Sequence, residues 1–247
     1  AATGCVPPRQ DREPALDAAP GTTPPTVAER EPAPRAPSHP EVAARSADRQ
    51  APTPLAVLCR AAWGAAPPSG AYASHRLRAL TVHHTAVPHD DAREGPARVR
   101  QHQRHHLEAG FVDLAYHFVI DRDGHVYEGR PVDAPGETFT DYDPDGHFVP
   151  CLEGEFGSQE PSQAQVDALV QLLAWAAATY AVPPATIRGH RHYAPTDCPG
   201  TSLQRLVDDG SLQRRVTDRL TRGGVQLQPV CGEEGRDRIA TIEAGRS

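Results

Sequence analysis

Apolar and polar positions alternate from Ala79 to Thr85, which reads as a strand. Thr81, His83 and Thr85 fall on one face, and Leu80, Val82 and His84 on the other. Pro96 to Ala109 reads as a helix rich in Arg, Gln and His, with Pro in its first turn and Gly110 just past its end. Leu114 to Asp121 is apolar on both faces, as a central strand would be. Asp123-Gly124 and then Val126 to Glu128 suggest a hairpin, and Phe148 to Glu153 is a further short strand. Ser162 to Val182 carries the strongest helical period: Ser162-x-x-Gln165 is a capping-box pattern, and Val166, Leu169, Val170, Leu173 and Ala177 form one stripe. A last helix is expected from Thr201, with Gln204 three residues on, to Gly210. Strands and helices alternate, so the fold class is α/β: a central mixed β-sheet flanked by helices.

The two ends read differently. Residues 1–54 are rich in Pro, Ala, Arg and Glu without periodic apolar positions, and are expected to be a disordered spacer. A folded domain is expected over 55–222, followed by a polar tail, 223–247, with Cys231 in its middle. The hydrophobic share of 38% is low for a compact domain and agrees with a long polar segment. A net charge of −7 argues against a broad nucleic-acid footprint, and no apolar run is long enough to span a membrane. All 25 basic residues are Arg and Met is absent, which leads to the expectation that a piece preceding Ala1 has been removed. Ala2-Thr3-Gly4-Cys5 faintly resembles a lipoprotein processing site. A small residue stands where Leu is usual and no apolar stretch precedes it, so an incidental Cys is the preferred reading and a lipid anchor through Cys5 the alternative.

Candidate chemistry sits in two of the histidine clusters. His102, His105 and His106 read as surface or packing groups, and His39, His75, His89, His125 and His147 as solvated. In His83-His84-Thr85 only one imidazole can face a given site: His83 shares the polar face, whereas His84 shares the face of Leu80 and Val82 and reads as a core histidine. The second cluster, Gly189-His190-Arg191-His192 through Asp197-Cys198-Pro199-Gly200, offers imidazoles and a thiol in what reads as a loop between helices. Zinc takes nitrogen and sulfur ligands, and three protein ligands with a fourth position open are the pattern of a catalytic site.

Val82-His83-His84-Thr85-Ala86, Asp113-Leu114-Ala115-Tyr116-His117-Phe118, Tyr127-Glu128-Gly129-Arg130 and Gly189-His190-Arg191 through Cys198-Pro199-Gly200 occur in order, behind Arg60-Ala61-Ala62-Trp63-Gly64-Ala65. Together, from about Cys59 to Leu206, they resemble the zinc-dependent N-acetylmuramoyl-L-alanine amidases, a family that includes phage amidase lysozymes and animal peptidoglycan recognition proteins. The resemblance implies one Zn²⁺ held by His83, His190 and Cys198. His192 competes as a ligand, though the family has Asp at that place and does not use it. It also implies catalytic roles for Tyr116 and Thr196, the latter where phage enzymes have Lys. Cys151 stands where a second branch of the family has Glu. The segment Val132 to Thr138 and the insertion Asp141 to Gly146 depart from the family pattern.

The implied reaction is hydrolysis of the amide joining N-acetylmuramic acid to L-Ala of the peptidoglycan stem peptide. Tyr116 would orient a water or donate to the oxyanion, with Thr196 as a second donor. The alternative is a module of the same fold that binds muropeptides without cutting them, although such relatives typically lose the thiol ligand. A structural zinc site is a third reading, but such sites normally close with four protein ligands. Peptidoglycan or muropeptides are the expected partners of a monomer that is secreted or held at the cell envelope. Export is an expectation drawn from the implied substrate and the long spacer. Cys59 and Cys231 flank the domain and could pair in an oxidising compartment, leaving Cys151 as a packed free thiol.

Overall fold

The computed structural model describes residues 50–246. Cys5, His39 and nearly all of the expected spacer lie outside the described residues. The elements are β1 (Thr53–Leu58), α1 (Arg60–Trp63), β2 (Ala79–His84), α2 (Gly95–Glu108), β3 (Phe118–Ile120), β4 (Val126–Glu128), β5 (His147–Phe148), β6 (Pro150–Leu152), α3 (Gln163–Thr179), β7 (Ile187–Gly189), α4 (Thr201–Asp208), α5 (Ser211–Thr221), β8 (Val225–Val230) and α6 (Gly232–Glu243). The strands form one mixed sheet in the order β5-β2-β6-β3-β4-β1-β8. β7 lies parallel to β2, with Leu80 opposite Ile187, and β6 pairs parallel with the same strand further along, His83 opposite Cys151. Among the described residues only β3 and β4 pair antiparallel, across the turn that contains Asp123-Gly124.

Strand alternation divides the core in two. Leu55, Val57, Leu80, Val82, Phe118, Ile120 and Val126 pack with Leu169, Leu172 and Leu173 of α3 and Leu212 and Val216 of α5. Their neighbours Leu58, Val119 and Tyr127 face the other way, onto Trp63, Val99 of α2 and Ile239 and Ile242 of α6. The period of two thus sends His83 to the side that carries α2 and His84 to the side that carries α3. The α3 stripe is buried as its period requires, and the capping box is complete: Ser162 Oγ accepts from Gln165 N, and the Gln165 side chain accepts from Ser162 N.

Four readings of the sequence need correction. Of the stretch Leu114–Asp121, only Phe118–Ile120 is a strand, because the Arg130 guanidinium takes the carbonyls of Leu114 (2.7 Å) and Asp113 (3.3 Å) out of the ladder. The residues after Arg222 are not merely a tail. β8 pairs with β1 along its whole length, from Thr53–Val225 to Leu58–Val230, and α6 covers the second core. The helix at Thr201–Asp208 is followed by α5 rather than ending the domain, and its Gln204 donates to Asp208 (2.7 Å) instead of capping. The segment before it is not a plain loop, since it contains β7 and a 3₁₀ turn at His190–His192. Cys59 and Cys231 form a disulfide that fastens the start of α6 beside that of α1.

Candidate metal centre and cleft

Three segments far apart in sequence meet at the end of β2. The His83 side chain leaves the penultimate position of β2, His190 follows β7 directly, and Cys198 precedes α4. One ligand atom of each lies within 4.8 Å of the others, with Cys198 Sγ 3.6 Å from His83 Nδ1. His84 N also points at Cys198 Sγ (3.5 Å). His83 Nε2 is buried and has no hydrogen-bond partner, an expensive state for a ring nitrogen unless something else takes it up. Burial, then the neighbouring His190, holds the His83 imidazole well below its usual range, and burial brings His190 down to about 4. Both rings are therefore neutral lone-pair donors. Burial pushes the Cys198 thiol up to about 12, against the donated His84 amide. Two neutral imidazoles and a thiol at this spacing fit a borderline-soft divalent cation such as zinc.

Tyr116 is half-buried in the segment ahead of β3, its ring 5.6 Å from that of His83. Burial, then the thiols of Cys151 and Cys198, raises its phenol well above the usual value, so it is a donor at neutral pH. Glycine at 129 places it. Gly129 N donates to His117 O and Arg130 N to Tyr116 O, and a Cβ on residue 129 would stand 2.1 Å from Tyr116 O. Thr196 Oγ1 accepts from Cys198 N (3.2 Å), which leaves the hydroxyl proton available. Tyr116, Thr196 and the three clustered residues line one cleft of about 440 Å³, together with His102, His105 and His106 of α2.

His84 is a satisfied core histidine, stacked on Phe156 and accepting from Phe156 N (3.3 Å). His192 is exposed against Tyr193 and outside the cluster, and Cys151 is a buried free thiol. Two histidines read as solvated are buried instead: His89 and His147, the latter held by Thr81 Oγ1 at 2.7 Å. His75 and His125 are also engaged, by Val132 O and by the Asp121 carboxylate. His147 shares the polar face of β2 through β5, a neighbour that a single strand pattern does not reveal.

Sequence reasoning missed three residues of the segment 132–146. Thr140 Oγ1 lies 2.8 Å from His190 Nε2. Tyr142 packs its ring 4.8 Å from His190 and 6.4 Å from His83, closing the back of the cluster. Phe139 stands at the mouth of the cleft. The available signal was the departure of this segment from the family pattern, two aromatics in an otherwise Asp-, Gly- and Thr-rich stretch.

The fold and this cleft define a peptidoglycan-amidase-type α/β domain. Residues 73–201, just over half of the chain, match the N-acetylmuramoyl-L-alanine amidase family (Amidase_2), and the chain belongs to that family. It is 35% identical over 160 residues to an N-acetylmuramoyl-L-alanine amidase of Sus scrofa, covering 62% of this chain but only 27% of that protein. It is 38% identical over 119 residues to an endolysin of Enterobacteria phage K11, covering 46% of this chain and 77% of the endolysin. Drosophila peptidoglycan recognition protein SD superposes with a TM-score of 0.58 at 30% identity, over 62% of this chain and 94% of that one. β1, β8 and α6 lie outside the matched residues.

Proposed function

We propose that the chain is a zinc-dependent amidase that hydrolyses the bond between N-acetylmuramic acid and L-Ala of peptidoglycan. The observation that carries this reading is the meeting of His83, His190 and Cys198 within 4.8 Å on the floor of a cleft. Tyr116 and Thr196 line the same cleft. Three protein ligands are one short of a closed structural site. Held by these three side chains, one zinc ion supplies Lewis acidity that polarises a carbonyl and makes water nucleophilic near neutral pH.

The chain's own residues do the rest. Tyr116, kept protonated by burial, donates to the oxygen on which negative charge develops, or orients the attacking water. Thr196, anchored through its acceptor lone pair by Cys198 N, adds a second donor in the same cleft. No Lys exists anywhere in the chain to take that place. Tyr142 and Thr140 hold the His190 ring and screen it from water. Peptidoglycan or soluble muropeptides are the proposed partners, and the domain acts as a monomer outside the cytoplasm, in keeping with its disulfide. No helix among the described residues is long and apolar enough to cross a membrane.

The test is release of L-Ala-terminated peptides from purified peptidoglycan, with chelator and with zinc restored. Loss with chelator, recovery with zinc, and no activity in Cys198→Ser are expected. Absence of cleavage together with saturable muropeptide binding would replace the enzyme by a recognition module.

A further inference from the structure

Two of the three large apolar side chains most exposed among the described residues, Phe139 (64%) and Val87 (42%), line the cleft of the metal centre. Phe139 is held there by design of its surroundings. Its ring stacks on Phe111, centroids 4.5 Å apart at 30°, and stands 5.7 Å from His105 and 5.9 Å from His106 on α2. Its backbone is pinned on both sides, for Thr138 Oγ1 and Thr140 Oγ1 are 2.9 Å apart and Thr140 reaches His190. Upstream, Glu137 is bound by Arg130 and by Val112 N (3.0 Å). The segment is thus tied at Glu137 and at Thr140, and between the ties it presents one aromatic ring to water.

A ring two-thirds exposed forgoes the stabilisation that burying it would give, so its placement calls for a partner. We propose that Phe139, backed by Phe111, is a stacking platform for a pyranose ring of the glycan strand. A sugar offers a face of C–H groups that covers an aromatic ring while its hydroxyls stay in water. Charge selects against the rival occupant. The platform itself is apolar, and Glu137, two residues before it, is already taken by Arg130. A neutral sugar needs no charged partner on such a face, whereas a stem-peptide carboxylate does. The platform rests on the amidase reading only in that the polymer enters this cleft.

Two measurements separate the platform from that reading. Binding of peptide-free glycan strands to the metal-free protein is followed by titration calorimetry, for the wild type, Phe139→Ala and Phe139→Tyr. Phe139→Ala is expected to weaken binding roughly three- to tenfold, the span of one aromatic stacking contact, with Phe139→Tyr restoring it. In parallel, the ratio of cleavage efficiency on polymeric peptidoglycan to that on a single-muramoyl peptide should fall by a similar factor in Phe139→Ala. Equal glycan binding by wild type and Phe139→Ala overturns the platform even if both cleave. An equal loss on polymer and on the short substrate also overturns it, since the ring would then serve the peptide. Glycan binding that depends on Phe139 in a protein that never cleaves would keep the platform and remove the amidase.

Discussion

Thr140 and His190, fifty residues apart, meet through a hydroxyl-to-imidazole hydrogen bond of 2.8 Å at Nε2. The bond takes up Nε2, so that Nδ1 is the His190 nitrogen left without it, and it fixes the plane of the ring, as outer partners of metal-bound histidines do. Thr140→Val keeps the shape and removes the bond. It should weaken zinc about 10- to 100-fold, the usual effect of losing such a partner, read by competition with a chromophoric chelator. An affinity equal to that of the wild type would mean that Tyr142 packing alone orients the ring.

The face assignment of His83 and His84 was legible because β2 is a regular strand with a period of two, and the α3 stripe and its capping box because a long buried helix repeats its signal. β8 and α6 were not. β8 is an edge strand whose residues are all at least partly exposed, so its polar positions conceal the alternation of Val225 and Leu227. Burial of His89 and His147 comes from the packing of distant segments, and no local pattern carries it. The contacts of Thr140, Tyr142 and Phe139 depend on the path of an irregular segment, which propensity does not encode.

The Cys59–Cys231 bridge closes a loop of 172 residues around nearly the whole fold. Chain entropy gives such a cross-link about 5 kcal/mol at most. The paired Cys59→Ser/Cys231→Ser variant should therefore lose a few kcal/mol in urea unfolding, and α6 should become the first segment to exchange amide protons. The candidate metal centre is built from β2, β7 and the turn before α4, so zinc stoichiometry should survive at low denaturant. Loss of zinc in that variant would show that β8 and α6 hold the site together, not only the second core.

His106 and His117 are buried, and burial brings both down to about 3. Each is neutral through its contacts: His106 Nδ1 accepts from Ala115 N (3.1 Å) and His117 Nδ1 from Val149 N (2.9 Å). Between pH 6.5 and 3 the unfolded chain binds protons at these positions and the native chain does not. Their contribution is therefore complete above pH 6.5 and is lost as pH falls towards 3. At pH 4.5 each costs on the order of 2 kcal/mol. Metal-free protein, measured to exclude zinc release, should show a urea midpoint that is level from pH 8 to 7 and drops steeply from 6.5 to 4.5. A flat midpoint across that range would contradict the neutral, buried state of both rings.

Glu153 has no exposed side-chain surface, yet it carries a carboxylate between β6 and α2. Burial opposes its charge, but the hydrogen bonds and charges of His102 and Arg98 outweigh it and hold the carboxyl below its usual value. Arg98 Nε lies 3.2 Å away and His102 Nε2 2.9 Å, each about 15% exposed, and Thr85 Oγ1 donates at 3.3 Å. Removing one partner of a fully buried pair costs about 3–5 kcal/mol; here the Arg98 and His102 side chains can turn to water, so Glu153→Ala should cost about 2 kcal/mol. Glu153→Gln keeps an acceptor for Arg98 and should cost less. His102 lines the cleft, and among the described residues its Nε2 is held by the Glu153 carboxylate. Both variants should therefore shift the His102 ring signals in nitrogen NMR, and Glu153→Ala should raise KM for muropeptide more than it lowers kcat. An unchanged His102 spectrum in Glu153→Ala would reduce Glu153 to a tie between sheet and helix.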